Sequence, residues 1–539
     1  MQTYDVIIAG YGPVAQVAGN ILGRAGVRTL IIDRLKSIFD IPRAIHFDDE
    51  IMRVFQALGL EEEIRPRTVT RDAYRFVNSR GQLLFEKKFG GTRTINGHAG
   101  SYFFFQPEIE ACLRAGMERF ASVTLCLGHE VLAYHADESG VQVDIRDLDH
   151  DTTRRIAGRY LLGCDGGRSL VRKTMGYGLH DYKHDQPWLV VDCNETGATR
   201  FPDNPHQLCD PERTCTLIPS RERHRRWEIY LKPGDDPEAM NRPEKIHELI
   251  APWAEPGRIE IIRSAVYRFH ALIARRWRDG RVLIAGDAAH QMPPFLGQGM
   301  CSGIRDAYNL AWKLRLVLRT GASPDLLDTY QQERFPHVKF MTDKAILAGR
   351  IIQARGLAAL IRDFLFYLLG RVPGGREAFV KKTSTWPRFK SGFFLRGPGS
   401  TSRAPEGELF PQPYVFSADT DAAELLDHFL GEGFAVLARS SDALHDAREL
   451  DPDLWERLDT RFVLIADEAN QAKDRDGSHF YTVVQDRDGS LGHWFAAHRA
   501  RIVILRPDRH IFGINPNRAR IARVRRYLYP ENKTTTKEE

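Results

Sequence analysis

The chain has 539 residues, 42% of them hydrophobic and 27% charged, and its 76 Lys and Arg against 71 Asp and Glu leave a formal net charge of +5. One hydrophobic core serves about 250 to 300 residues, so two or three domains are expected, and the ordinary globular composition excludes a disordered or membrane class. The charges are interspersed, which gives no support to nucleic-acid binding; clusters at 221–226 and 518–526 read as solvated faces.

Residues 4–10 form an apolar run ending in glycine, 13–25 read as a helix and 28–32 as a second apolar run, the opening of a strand–helix–strand unit. The run at 6–9 is too short for a signal sequence. Short β-rich alternation follows over 69–90 and 129–163 and continues through 186–270, with strands at 189–192, 215–219 and 227–231. A sheet-based layer is therefore threaded into the first domain. Helical periodicity dominates 301–370. The most apolar stretch there, 357–369, is interrupted by Arg362 and Asp363 and falls short of the ~20 residues a membrane span needs. Residues 386–413 are rich in Pro, Gly and Ser and read as a linker. Beyond it, β-like runs at 434–437, 462–465, 481–484 and 502–505 alternate with helical segments, a small α/β domain, and the last ten residues read as disordered. All seven cysteines precede residue 302 without CxxC or zinc spacing, which points to a reducing cytoplasm and to no metal.

Three motifs carry chemistry. In the first, Gly10-Tyr11-Gly12-Pro13-Val14-Ala15 follows a strand and opens a helix, with Asp33 and Arg34 at the end of the next strand. This is the dinucleotide fingerprint in its proper context: Gly10 permits the tight turn, Gly12 admits the pyrophosphate, and Asp33 suits ribose hydroxyls. Ala15 in place of the third glycine is a permitted change, and the motif alone also fits an NAD enzyme. The second motif spans 163–172 and contains Asp165. The third runs from Arg281 through Gly286-Asp287 and Pro293-Pro294 to Gly297-Gln298-Gly299-Met300-Cys301. In it a buried strand delivers Asp287 to a turn, and a glycine-rich loop opens a long helix whose free amides can receive an anionic group. Asp287 suits a ribityl hydroxyl, and the amides of 299–301 suit the pyrimidine oxygen of a reduced flavin.

In this order and spacing the motifs resemble the group A FAD-dependent aromatic hydroxylases, and within them the 3-(3-hydroxyphenyl)propionate hydroxylases. The likeness includes Pro42-Arg43-Ala44-Ile45, Asp48-Asp49-Glu50, Gln106-Pro107, Gln186-Pro187-Trp188, Cys209-Asp210-Pro211, Arg305-Asp306-Ala307 and Arg506-Pro507-Asp508-Arg509. It implies an α/β (α+β) chain: a discontinuous Rossmann-like FAD domain at 1–70, 100–185 and 271–350, and an interleaved substrate sheet at 71–99 and 186–270, as in p-hydroxybenzoate hydroxylase. A helical segment and linker at 351–403, a thioredoxin-like domain at 404–528 and a disordered tail at 529–539 complete it. Cys301 stands where many relatives carry asparagine, and the C-terminal domain has no cysteine, which excludes thiol redox chemistry there.

The resemblance further implies that NADH or NADPH reduces FAD and that a flavin hydroperoxide delivers oxygen to a phenol. A phenol of pKa near 10 is only about 0.1% ionised at pH 7, a deficit of roughly 4 kcal/mol, so a base or strong acceptor at its oxygen is expected. His46, following the Pro-Arg motif, is the candidate, with a loop-structural histidine as the alternative; Tyr267 and His270 are further pocket candidates. Arg43 is expected at the flavin, Gln106 at the ribityl chain, Val131 at adenine, and Pro294 and Gly297 in the flavin loop. Arg225 or Arg226 is expected to meet a substrate carboxylate, and His290 to be structural. No second glycine fingerprint exists for the nicotinamide, so NADH versus NADPH stays open. The expected partners are a phenolic small molecule and dioxygen, without nucleic acid or membrane, and a homodimer is left open. A larger polycyclic or polyketide aromatic is the alternative substrate. A flavin halogenase lacks its Trp-x-Trp-x-Ile signature here, and a non-catalytic flavoprotein conflicts with three intact motifs.

Overall fold

The computed structural model describes residues 3–38, 43–89, 93–375, 378–379, 387–396, 404–417, 422–466 and 480–528. Pro42, part of the expected linker and the expected tail lie outside the described residues. The chain divides into two compact units: Met1–Arg93, Ala99–Ala307 and Val338–Pro387 form one, and Thr94–His98, Tyr308–His337 and Arg388–Glu539 form the other.

In the first unit, five parallel strands lie side by side in the order Val282–Ile284, Thr152–Gly163, Thr3–Ala9, Thr29–Asp33, Val123–Leu127. Their inner members are apolar at nearly every position, because covering helices bury a parallel sheet on both faces. Val6, Ile7, Ile8, Ile31 and Leu161 are accordingly fully buried. The helix Pro13–Arg24 opens on Pro13, which lacks the amide hydrogen that a first-turn residue cannot use.

The second sheet has eight strands in the order His290–Gln291, Ile259–Ala274, Leu179–Glu195, His224–Tyr230, Cys215–Pro219, His206–Cys209, Ala73–Asn78, Leu83–Lys88. Its strands alternate, as strands with two different faces must. Leu189, Val191, Cys193, Leu217, Trp227 and Ile229 bury one face against Ile246 and Ile250 of the helix Pro243–Ile250. The opposite face carries polar and aromatic side chains. Over 186–270 the strands are longer than the short apolar runs indicated, because polar residues of the second face interrupt those runs.

The second unit is thioredoxin-like. Its seven-stranded sheet is centred on Arg461–Ala466, Ala435–Ala438 and Ile502–Leu505 and flanked by helices including Ser441–Leu450 and Ser490–Ala497. The four expected β-runs are strands here within a residue or two at each end. Among the described residues no helix is long and apolar enough to cross a membrane.

The units divide the chain differently from the expected domains. The segments expected to form the FAD and substrate domains share one unit, which also takes 351–387, whereas 308–337, expected with the flavin domain, groups with the C-terminal sheet. The reason lies in buried charge. Lys313 Nζ donates to Glu333 Oε2 (2.8 Å), Arg506 donates to both Glu333 oxygens (2.9 Å each) and to Asp508 Oδ1 (3.0 Å), and all four residues are essentially excluded from solvent. A buried charge is tolerable only when paired, so each partner in 308–337 needs its partner near 506. Glu333→Ala leaves two buried cations under-compensated, and the apparent unfolding temperature of the full chain should fall with a loss of about 3 kcal/mol or more. Lys313→Met in the same background should recover part of that loss in calorimetry.

Candidate active site

The parallel strands end on one edge, and that edge gathers all three motifs: Gly10 after the first strand, Asp33 at the end of the second, Asp165 after Thr152–Gly163, and Asp287 after Val282–Ile284. Ligands of open parallel sheets bind at such carboxyl ends. Close packing fixes the arrangement. A Cβ on Gly10, whose φ is +98°, would lie 2.4 Å from the Cys164 carbonyl oxygen, and Cβ atoms on Gly286 and Gly303 would lie 2.8 and 2.6 Å from Cγ2 of Val14. The Val14 side chain is therefore a wedge that only two glycines admit, joining the first motif to the third.

Around these contacts the cradle is open. Gly12, Gly166 and Gly299 face no atom within 4 Å of an added Cβ. The helices Pro13–Arg24 and Gly299–Arg319 begin at this edge with their amides free, a setting that favours anionic groups. Asp287 is exposed within an otherwise buried stretch, and Asp165 Oδ1 is buried without a partner among the described residues. Asp33 accepts the Tyr11 and Leu35 amides (2.7 Å each), which aims its remaining lone pairs outward. Arg34 is exposed beside it, and Val131 sits opposite Ile145 in the strand His129–Ala136. A dinucleotide with a pyrophosphate and hydroxyl-bearing chains fits this donor set.

Buried amides carry the positioning further. Gln16 Nε2 donates to Tyr11 O (2.8 Å) and to Glu110 Oε2 (3.0 Å); Gln106 Nε2 donates to Glu110 Oε1 (2.7 Å), and Gln106 Oε1 accepts the Ala44 amide (2.7 Å). Gln106 thus fastens the 43–46 segment to the fingerprint loop. His290 donates through Nε2 to Asp306 Oδ2 (2.6 Å), which also accepts the Gly286 amide (3.1 Å), so it braces the flavin loop. Cys301 is fully buried and points its sulfur at the backbone oxygens of Gly297 and His46, 3.6 and 3.8 Å away. Its side chain therefore joins two segments, leaving only its backbone toward the loop, where Pro294 and Met300 are partly exposed.

Over residues 3–345 the chain matches the FAD binding domain family, and over 407–528 the HcaD C-terminal domain. A 3-(3-hydroxy-phenyl)propionate/3-hydroxycinnamic acid hydroxylase of Shigella sonnei is 34% identical, covering 94% of this chain and 91% of the relative; its counterpart from Mycolicibacterium smegmatis is 36% identical over 94% and 90%. The chain belongs to the FAD-dependent aromatic hydroxylases. Its fold is shared by aklavinone-11 hydroxylase, crystallised with FAD and aklavinone (TM-score 0.75, 22% identity, 97% of this chain and 98% of that one). It is shared also by the flavin-dependent monooxygenase PieE (TM-score 0.77, 19% identity, 98% of each chain). FAD is the cofactor that the edge just described accepts.

A hydroxylase of this family also needs a place for an aromatic ring, and the candidate for it is the polar face of the second sheet. Three rows cross it. Tyr230, Trp188 and Tyr267 stand side by side in register; next come Glu228, Val190 and Ala265; then Arg226, Asp192 and Arg263. The middle row is small at its centre, between an aromatic row and a charged one. Phe295 of the flavin loop meets Trp188 edge-on at 5.7 Å, so the face is turned toward that loop. Trp188 Nε1 and Tyr267 Oη lack partners among the described residues, and burial pushes the Tyr267 hydroxyl up to about 12 against the pull of Arg43, Arg226 and Arg263.

His46 lies under the same loop, its Nε2 2.7 Å from Ser101 Oγ, and a Cβ on Gly297 would stand 2.9 Å from its Nδ1. Burial drives its pKa down to about 4, with Asp48 opposing and Lys87 adding to the shift. The expectation of an unperturbed histidine base is therefore corrected: desolvation makes His46 a neutral, weak base. The expected substrate arginines are corrected too. Arg226 is already engaged at all three nitrogens, its Nε and Nη2 on Asp192 (2.7 and 2.8 Å) and its Nη1 on Arg43 O (2.5 Å). Arg225 pairs with Glu195 (2.6 Å) and stands opposite Cys193, on the other face of the sheet. His270 is partly exposed, opposite Asp185.

Three residues were missed by sequence reasoning. Glu228 presents a carboxylate that pairs with Arg226 Nη1 at 3.8 Å, and burial raises its pKa against that arginine's pull. Ser101 holds His46. Lys87 stands opposite Tyr74 in the edge strand, on the polar face, and makes no ion pair among the described residues. The alternation Arg226-Trp227-Glu228-Ile229-Tyr230 was the available signal for Glu228. Gly303→Ala forces a methyl against Val14 and should weaken FAD binding about tenfold, read by flavin fluorescence on titration, since overpacking of this kind costs about 1–3 kcal/mol.

Proposed function

We propose that this flavoprotein hydroxylates a monocyclic phenol bearing a short acidic side chain, of the 3-(3-hydroxyphenyl)propionate kind, with NADH or NADPH and dioxygen, in cytoplasmic aromatic catabolism. The observation that carries the reading is the small Val190–Ala265 centre of that polar face, bordered by the aromatic row Tyr230, Trp188 and Tyr267, with Phe295 against Trp188, on which a single ring can stack. The names of the two bacterial relatives agree with it.

FAD would be held by Gly10, Gly12, Pro13, Val14, Ala15, Asp33, Arg34, Arg43, Gln106, Val131, Asp165, Asp287, Pro294, Gly297, Gly299, Met300 and Cys301, and supplies electron transfer from nicotinamide to dioxygen. The chain's own residues orient the ring and manage its proton. Glu228 is the hydrogen-bond acceptor for the phenol: a carboxylate made more basic by burial draws on the O–H bond most as positive charge develops in the ring. His46, about six units below a phenol, faces a deficit near 8 kcal/mol as an outright base, and with Ser101 it serves as a relay and an orienting contact. Tyr267 and Trp188 offer their unpartnered polar hydrogens to the substrate. Lys87 is the proposed cation for the carboxylate, in place of Arg226, whose bond to Arg43 O sets the loop against the sheet.

The decisive assay follows NADH and NADPH oxidation with and without 3-(3-hydroxyphenyl)propionate, with product chromatography and peroxide in parallel. Strong stimulation with little peroxide is expected; turnover of polycyclic phenols alone would sink the reading. Glu228→Gln should lower kcat for hydroxylation by about 100-fold while reduction of FAD persists. Lys87→Met should raise KM about tenfold for the acid-bearing phenol and leave a phenol without a carboxyl group unchanged. If His46→Gln hydroxylates at the parent rate from pH 6 to pH 9, its relay role is lost.

A further inference from the structure

The helix Gly356–Leu369 is apolar on two sides. Inward, Ala359, Arg362 and Phe366 are buried; Arg362 donates to Cys209 O (2.9 Å) and Ile352 O (3.0 Å), and Phe366 stacks on Phe85 at 5.0 Å. Asn78 of the substrate sheet donates to Asp363 (3.1 Å). The helix is thus firmly seated. Outward, Leu357 is 72% exposed, Leu360 66%, Phe364 and Leu365 58% each, Ile361 50% and Leu368 42%. Tyr367, on the same helix, is 51% exposed.

Helices that are apolar all round are normally covered all round. The outward side chains of this helix expose roughly 750 Å² of apolar surface, taking about 190 Å² for a fully exposed large side chain, whereas the largest patch on a monomer is about 300–600 Å². One partner of a stable interface buries about 800 Å². Spacing narrows the occupant. Leu357, Ile361, Phe364 and Leu368 recur at four, three and four residues, the interval at which one helix sets its side chains into the gaps of another; Leu360 and Leu365 flank that seam. A helix lying in a bilayer surface keeps a charged face in water, but here the face away from the patch is occupied by the protein's own core.

We propose that this face is a homodimer interface, in which the helix 356–369 of one copy packs on the same helix of a second copy about a two-fold axis. A single self-complementary patch closes such a pair and leaves no edge for further growth. The pairing also bears on the substrate site. Arg355, at the start of the helix, stands over the Tyr230 ring at 5.4 Å, and Tyr230 belongs to the aromatic row beside Trp188. The helix that bears the interface therefore reaches, through Arg355, the aromatic row of the proposed ring site.

The test is sedimentation velocity on the FAD-loaded full chain, whose monomer mass is 61.4 kDa. At micromolar concentration the wild type should sediment at twice that mass and dissociate on dilution. Leu357→Glu with Phe364→Glu, both at exposed positions, should weaken association about 100-fold while the flavin absorbance and circular dichroism stay those of the wild type. Leu148→Glu, an exposed leucine elsewhere, should leave the dimer intact. A wild type that remains monomeric at tens of micromolar, or a double variant that still dimerises like the parent, overturns the proposal. A monomer that floats with phosphatidylglycerol vesicles also overturns it and assigns the face to a lipid surface. None of these outcomes depends on which phenol is hydroxylated.

Discussion

Three glycines and a valine set the geometry on which the flavin edge depends. Val14 projects from the start of the first helix into a gap that exists only because Gly286 and Gly303 have no side chains, and Gly10 lets the fingerprint turn pass against the Cys164 carbonyl. Close approach of backbone to backbone brings four strand ends to one point, and the acids Asp33, Asp165 and Asp287 then surround a single opening. A methyl at any of these glycines acts on all three motifs together, since packed interiors have no slack to absorb it.

The substrate sheet answers a different constraint. Its strands must bury a hydrophobic face against the helix 243–250 and present the other face to the flavin loop, so alternate residues serve opposite purposes. That is why Trp227 belongs to the core while Arg226 and Glu228, its neighbours, lie on the opposite face. Desolvation on the polar face then sorts the titratable groups: Asp192, held by Arg226 and Arg263, stays below the carboxylate range although burial acts against it, Glu228 is raised, and His46 is lowered. The His46 shift has a definite sign for stability. A histidine that is neutral when folded and takes up a proton near pH 6.5 when unfolded contributes stability above that pH and loses it as pH falls toward about 4.

Buried charge also explains where the chain divides. Lys313 and Glu333 lie in helical sequence that reads as a continuation of the flavin domain, yet their counter-charges, Arg506 and Asp508, are nearly two hundred residues away in the C-terminal sheet. Helical periodicity reports which face is apolar and carries no information about which distant segment supplies a counter-ion. The domain boundary was illegible for that reason, while the strands of the C-terminal sheet, continuous runs such as 462–465, were legible.

The sequence by itself determined the flavin edge. Glycine spacing, a strand before a helix and an acid at a strand end are local features, and local features survive in a linear string: Gly10, Gly12, Asp33, Asp287 and Gly299 all stand where their spacing places them. Tertiary structure alone decided the chemistry opposite that edge. Whether His46 is an active base depends on how completely Phe103, Gly297 and Ser101 enclose it, and whether Arg226 is available depends on Asp192, which the fold brings from a neighbouring strand. Burial and pairing are properties of neighbours distant in the chain, and so they set pKa values and free charges only once the chain is folded.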